Sequence, residues 1–331
     1  MELVCPAGSL AALKAAVDNG ADAVYLGFRD ASNARHFPGL NFSEADLLAG
    51  MAYARAAQTK VYFAINTYPQ ADNWQVWASA VDRAAELQAD AVIIADMGVL
   101  DYASERYPDL RLHLSVQASA TNPQAIAFYA ERFAVKRVVL PRVLSFAQVA
   151  QVAKASPVPV EVFGFGSLCV MVEGRCWLSS YVTGQSPNSY GACSPAAFVE
   201  WRSTGTQTEA RLNNVLVDRY KADEHAAYPT ICKGRFSVNN KLSYALEQPV
   251  SLNTLSELPK LADIGVAAIK LEGRQRSPLY VAQVCQVFRQ AIDALRAGKP
   301  DVASEKKHRV LLASHSEGAQ TTLGAYDRVW R

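Results

Sequence analysis

The chain has 331 residues, half of them hydrophobic, with 33 Lys and Arg against 31 Asp and Glu and a formal net charge of +2. That length holds one large domain or two ordinary ones around a sizeable core, and the charge balance gives no broad basic footprint for DNA or RNA. The start, Met1-Glu-Leu-Val-Cys-Pro6, lacks a basic region, and no apolar run reaches about 18 residues. Neither signal peptide nor membrane span is predicted, which points to the cytoplasm.

Short apolar runs predict strands at 3–5, 23–27, 60–66, 91–95, 112–117, 137–140, 160–164 and 267–271. Helix-patterned segments lie between them at 10–19, 43–58, 74–87, 123–133 and 145–155. Several open on a good cap: Ser43 with Asp46 three later, Asn122 followed by Pro123, and Ser145. Gly20-Ala-Asp-Ala-Val-Tyr25, Gln88-Ala-Asp-Ala-Val-Ile93 and Gly265-Val-Ala-Ala-Ile-Lys270 echo one another, each ending a helix and starting a buried strand. The pattern predicts an α/β fold, a (β/α)8 TIM-like barrel, complete or distorted.

After Gly164 the rhythm breaks. Residues 164–250 are turn-rich and carry four of the six cysteines. Helical character returns at 254–265, followed by the last strand and a helix over 278–296. The layout is a barrel from 1–163 and 251–297, an inserted segment 164–250, and a linker and tail over 298–331, with 298–309 read as polar linker. An insertion between the seventh and eighth strands opens at the C-terminal face, where barrel active sites sit.

Cys169, Cys176, Cys193 and Cys232 follow the spacing Cys-x6-Cys-x16-Cys-x38-Cys. Without disulfide-favouring surroundings such thiols are metal ligands or buried. Close Cys-x2-Cys knuckles, common in structural zinc sites, are missing. Spacing alone leaves an iron–sulfur cluster, zinc and no metal open; Gly164, Gly166, Gly174, Gly184 and Gly191 favour the cluster, because glycine lets backbone wrap closely around one. Cys5 and Cys285 sit in apolar patterns and read as small buried hydrophobes.

Polar groups recur at the predicted strand ends: Asn66, Asp96, Gln117 with Ser119, Arg142, and Lys270-Leu-Glu-Gly-Arg274. In a barrel they converge on one mouth. Lys270 and Glu272 are two apart and so share one side of their strand, while Arg142 and Arg274 could clamp a carboxylate. Arg142, Lys270, Glu272 and Arg274 are the candidate catalytic residues; surface ion pairs are the competing reading. His113, inside a strand, reads as a packed residue. No Gly-x-Ser-x-Gly elbow, His-Glu-x-x-His helix or phosphate loop is present.

Cys5-Pro-Ala-Gly8, Gly20-Ala-Asp-Ala-Val-Tyr-Leu-Gly27, Phe163-Gly-Phe-Gly-Ser-Leu-Cys169, Glu173-Gly-Arg-Cys176, Gly191-Ala-Cys193 and Lys270-Leu-Glu-Gly-Arg274 resemble the collagenase-like peptidase family, peptidase family U32. Within it, Cys232-Lys-Gly-Arg235, Ser251-Leu-Asn-Thr-Leu255 and the tail from Ser316 to Tyr326 resemble the members that act in ubiquinone biosynthesis. The resemblance implies a 4Fe-4S cluster on Cys169, Cys176, Cys193 and Cys232. It also implies a heterodimer with a paralogous protein carrying its own cluster, and O2-independent hydroxylation of a prenylated ubiquinone precursor with prephenate as oxygen donor. Several relatives have a further cysteine four residues after the third ligand; Ala197 stands there here, which favours the distant Cys232 as fourth ligand. An oxidoreductase subunit is the leading reading. The alternatives are a tRNA uridine hydroxylase, a metal-dependent peptidase and a non-catalytic electron relay. A peptidase is disfavoured, since the chain offers no identifiable nucleophile.

Overall fold

The computed structural model describes residues 1–327 apart from 37, 170, 172–175, 204, 225 and 299–301. Seven parallel strands follow one another around a barrel: β1 (Glu2–Pro6), β2 (Ala23–Leu26), β3 (Lys60–Ile65), β4 (Ala91–Ile94), β5 (Leu112–Leu114), β6 (Arg137–Val139) and β7 (Val160–Ser167). The strand Ala268–Leu271 pairs in parallel with both β1 and β7 and closes it. This is the predicted (β/α)8 barrel.

Strand alternation sorts the side chains into two cores. Val4, Ala23, Tyr25, Tyr62, Ala91, Ile93 and Ala268 fill the barrel. Leu3, Cys5, Val24, Leu26, Phe63, Val92 and Ile94 face the surrounding helices instead. With both faces buried, the strands read as continuous apolar runs. The predicted caps form as the sequence suggests. Ser43 accepts from Asp46 N–H, Asn122 from Ala125 N–H, and Ser145 makes a reciprocal capping box with Gln148.

Two strands differ from expectation. β5 stops at Leu114 because Ser115 Oγ accepts from Gln117 N–H (3.3 Å) and turns the chain into a short 3-10 helix, Val116–Ala118. β7 runs on to Ser167 because the strand Ser251–Asn253 pairs with its far end, antiparallel, placing Ser251 opposite Ser167. Thr321–Thr322 adds in parallel to Ser251–Asn253. The chain after 298 is also more ordered than a linker: Val302–His315 is a helix whose Leu312 is fully buried. Its few apolar residues hid it, although Ala, Glu, Lys and Leu favour helix.

The cysteine-bearing segment has structure of its own. Val199–Ser203, Gln207–Leu212 and Val215–Lys221 form an antiparallel sheet, and Arg235–Val238 with Lys241–Tyr244 a separate hairpin. Both tight turns use consecutive asparagines with positive φ, Asn213-Asn214 and Asn239-Asn240, the backbone a two-residue hairpin requires. Among the described residues, no helix is long and apolar enough to cross a membrane.

Candidate functional site

A chain of opposite charges runs from the exposed Lys60 into the barrel interior. Lys60 Nζ lies 2.9 Å from Glu2 Oε1, Glu2 Oε2 pairs with Arg137, Arg137 Nη1 reaches Glu161 Oε2 at 3.1 Å, and Lys270 Nζ reaches Glu161 Oε1 at 2.8 Å. Glu161 is completely buried and Lys270 nearly so. Burial lowers the Lys270 ammonium from its ordinary range, with Glu161 opposing the shift. His113 lies in the same interior, edge-on to Tyr62 and accepting from Arg111 Nε at 3.3 Å. Burial, followed by the charge of Arg137, holds it well below the usual imidazole range and therefore neutral. It is a packed residue.

Lys270 and Glu272 do not act as one pair. A register irregularity falls between Lys270 and Leu271, the strand ends at Leu271, and the two side chains take different partners. Glu272 Oε2 lies 2.6 Å from Arg142 Nη1, which also donates to Ser167 C=O at 2.6 Å, with the guanidinium 4.4 Å from the Phe163 ring centroid. A carboxylate of the protein thus already faces Arg142. Gly166, at φ +145°, is needed here, because a Cβ on it would fall 2.4 Å from the Glu272 side chain.

Arg274 is placed otherwise. Its Nη1 donates to the Asn33 Oδ1 amide oxygen at 2.6 Å, and among the described residues no carboxylate forms an ion pair with it. Its guanidinium and the Lys270 ammonium stand 5.5 and 4.0 Å from the Tyr25 ring centroid. Burial, and after it the neighbouring Arg35 charge, push the Arg274 guanidinium down to about 10, so it remains a cation at neutral pH. Asn33 is itself fully buried and also accepts from Arg35 N–H (3.1 Å), while its Nδ2 donates to Phe28 C=O (3.0 Å). Arg274 and Arg142 therefore do not form a symmetric clamp; Arg274 has Arg35 beside it.

Arg35 joins the mouth to the cysteines. Its Nη1 donates to Gly191 C=O at 3.2 Å, two residues before Cys193, and its charge acts on the Cys193 thiol. Sequence reasoning passed over both Arg35 and Asn33. The signal available was the Gly/Pro/Asn-rich loop after β2, but nothing in it announced a contact with residue 274. Gln117 is a second polar group at this end. Among the described residues its Oε1 is buried without a hydrogen-bond partner, while Asn66 and Asp96 are engaged, accepting from Ala34 N–H (3.1 Å) and Val99 N–H (3.0 Å).

Cys169 follows β7, Cys176 precedes the helix Trp177–Thr183, Cys193 lies before a 3-10 turn, and Cys232 sits within the 3-10 turn Ile231–Lys233. All four are half-buried, and none of the six cysteines is in a disulfide. Burial pushes the Cys232 thiol up to about 12, with Lys233 opposing and the charges of Cys169, Cys193 and Cys176 adding to the rise. Cys193 is likewise raised, by burial first, and it too senses Cys176. Four thiols more than 60 positions apart at the extremes thus share one electrostatic neighbourhood. Among the described residues, no three His, Cys, Asp or Glu are grouped to hold a metal ion. Gly174 and the Glu173–Arg175 part of the motif lie outside the described residues. Cys5 and Cys285 are fully buried elsewhere, with sulfurs 3.2 Å apart.

The sequence pattern of Peptidase family U32 matches residues 8–326. An uncharacterized protease of Methanocaldococcus jannaschii is 32% identical over 306 residues, covering 90% of this chain and 66% of that protein. The tRNA hydroxylation protein P of Haemophilus influenzae is 30% identical over 321 residues, 90% of this chain and 69% of its own. The 23S rRNA 5-hydroxycytidine C2501 synthase of Escherichia coli is 27% identical over 309 residues, 93% of this chain and 42% of its own. The chain spans about two thirds of the length of the first two relatives.

Proposed function

The chain belongs to peptidase family U32, and from that premise we propose that it is the iron–sulfur subunit of an O2-independent hydroxylase in ubiquinone biosynthesis, a protein of the UbiU type. Relatives named for tRNA and rRNA hydroxylation support a hydroxylase-type role over the peptidase name. The motifs at Cys232, Ser251 and Ser316 support the ubiquinone branch.

The observation that supports the reading is that four non-disulfide thiols act on one another through their charges, with Cys169, Cys176 and Cys193 all raising Cys232, beside a barrel mouth whose half-buried Arg274 forms no ion pair among the described residues. The donor set suits a 4Fe-4S cluster, which takes four cysteine thiolates. Cys169, Cys176, Cys193 and Cys232 would hold it, and it would supply one-electron redox chemistry. Arg274, with Arg35 beside it, orients a carboxylate of prephenate. Asn33 fixes the guanidinium, and Tyr25 and Lys270 form the floor. Glu272 and Arg142 shape the neighbouring wall. The paralogous UbiV-like protein is the partner, and the prenylated precursor is the acceptor.

The test is the ultraviolet–visible and EPR spectrum of the anaerobically purified chain, with iron and sulfide counted, followed by assay with the partner, prephenate and the precursor. Cys169→Ala, Cys176→Ala, Cys193→Ala and Cys232→Ala should each lose the brown chromophore, and Cys285→Ala should keep it. Full iron in Cys232→Ala would remove Cys232 from the ligand set. Turnover by a homodimer without the partner would overturn the heterodimer. The relatives' names favour one second reading, hydroxylation of a tRNA uridine; the net charge of +2 weighs against it. An assay on unmodified tRNA separates the two.

A further inference from the structure

We propose that Glu317 is a positioning residue, whose single carboxylate clamps together the two stretches of chain that carry Cys169 and Cys232. The proposal rests on the four-cysteine reading above and adds to it a residue from the C-terminal segment, a part of the chain to which the sequence assigned no role.

The two stretches are far apart in sequence and differ in kind. Ser167 is the last residue of β7 and stands two before Cys169; Lys233 ends a 3-10 turn and directly follows Cys232. Glu317 meets both. Its Oε1 accepts from Ser167 Oγ at 2.6 Å, and its Oε2 pairs with Lys233 Nζ. The Lys233 side chain is only 11% exposed and that of Glu317 29%, so the pair is partly shielded from the solvent that weakens surface ion pairs.

The rest of the segment holds the carboxylate in place. Glu317 N–H donates to Ser251 Oγ at 3.0 Å, and Ser251 N–H donates to Gln320 C=O at 3.1 Å. Ser251 is the residue paired with Ser167 across the antiparallel ladder and with Thr321 across the parallel one. Gly318, at φ +58°, lies so close to Pro249 that a Cβ would sit 2.5 Å from its carbonyl oxygen. The backbone around Glu317 is therefore fixed on both sides before its side chain reaches the two cysteine-bearing stretches. A four-thiolate site requires its donors at set separations, and groups that orient ligands matter nearly as much as the ligands themselves. A carboxylate anchored on the barrel sheet and bonded to the neighbours of two ligands supplies such a restraint.

The experiment compares the full-length wild type with Glu317→Gln and Glu317→Asp, purified anaerobically. In the metal-free chains, backbone hydrogen exchange is followed over 165–169 and 231–234. In the iron-loaded chains, iron release to a chelator and the EPR line shape are recorded. Glu317→Gln removes the charge facing Lys233 and should speed exchange in both stretches about tenfold, speed iron release at least fivefold and broaden the EPR signal. Glu317→Asp should restore part of each. Faster exchange in only one stretch, or iron release and line shape equal to wild type, would overturn the clamp. A wild-type chain that takes up no iron would overturn the four-cysteine reading, and with it the positioning role, while the exchange data still report whether the restraint exists.

Discussion

At the residue scale, the two mouth arginines should behave differently. Arg274 donates to an amide oxygen and forms no ion pair among the described residues, so a bound carboxylate can take its remaining donors. Loss of a desolvated charged contact costs on the order of 2 to 5 kcal/mol, and Arg274→Ala should therefore raise the prephenate concentration needed for half-saturation by roughly 30-fold or more while the cluster spectrum is unchanged. Arg142→Ala instead strands Glu272, whose carboxylate it faces at 2.6 Å, and should act mainly on stability. Anaerobic prephenate titrations of both variants decide this: normal saturation by Arg274→Ala removes it from the site. The cysteines were readable from sequence because residue type and clustering carry their chemistry. Arg35, Asn33 and Glu317 were not, because their meaning lies in partners at Gly191, Arg274 and Ser167, which only the folded chain brings near. For the same reason spacing could not choose, for Arg142, between the carboxylate clamp and the ion pair that Glu272 makes with it.

At the element scale, the eight strands and most helices around them were legible, since apolar runs and caps are local signals; the helix Met97–Arg106, capped by Asp96, was not read. The Ala-Asp echo has a local cause as well. Asp22 and Asp90 accept the backbone N–H of Leu3 and Val61, at 2.7 and 2.8 Å, each tying the start of one strand to the preceding one. Gly20, Gln88 and Gly265 before them all have positive φ, ending the helices. What stayed hidden was set by distant chain: the extension of β7, made by pairing with Ser251–Asn253, and the helix Val302–His315, held to the core by Leu312. Gly27 tests how closely one loop is fitted to its strand. A Cβ there would fall 2.2 Å from Asn33 Nδ2, and Asn33 holds Arg274. Overpacking of this kind costs about 1–3 kcal/mol, so Gly27→Ala should lower the unfolding free energy read from urea denaturation by that amount and weaken prephenate saturation together. A variant that lost stability alone would separate the loop from the mouth.

At the scale of the whole molecule, the barrel is closed around charges rather than around hydrocarbon alone. Glu161 is fully buried between Arg137 and Lys270, and Glu2 continues the line to Lys60. Removing one partner of a buried ion pair costs about 3–5 kcal/mol, because the charge left behind has neither water nor counter-ion. Glu161→Leu strands two cations and should show a loss of at least that size in urea denaturation, with the slope of the transition unchanged if folding stays cooperative. Acid attacks the same network through Glu2. Burial alone would raise that carboxyl, but Arg137 and then Lys60 outweigh it, and its folded pKa lies below the ordinary 4.5. A carboxyl depressed on folding contributes stability above its unfolded pKa and loses it as pH falls through the folded one. The Glu2 contribution should therefore be level above about pH 5 and decline below 4.5, while His113, held neutral in the fold, already lowers stability as pH falls below its ordinary 6.5. Glu2→Gln should be less stable at pH 7 yet decline less steeply in acid. A Glu2→Gln chain whose acid profile runs parallel to wild type would place the acid-sensitive group elsewhere in the molecule.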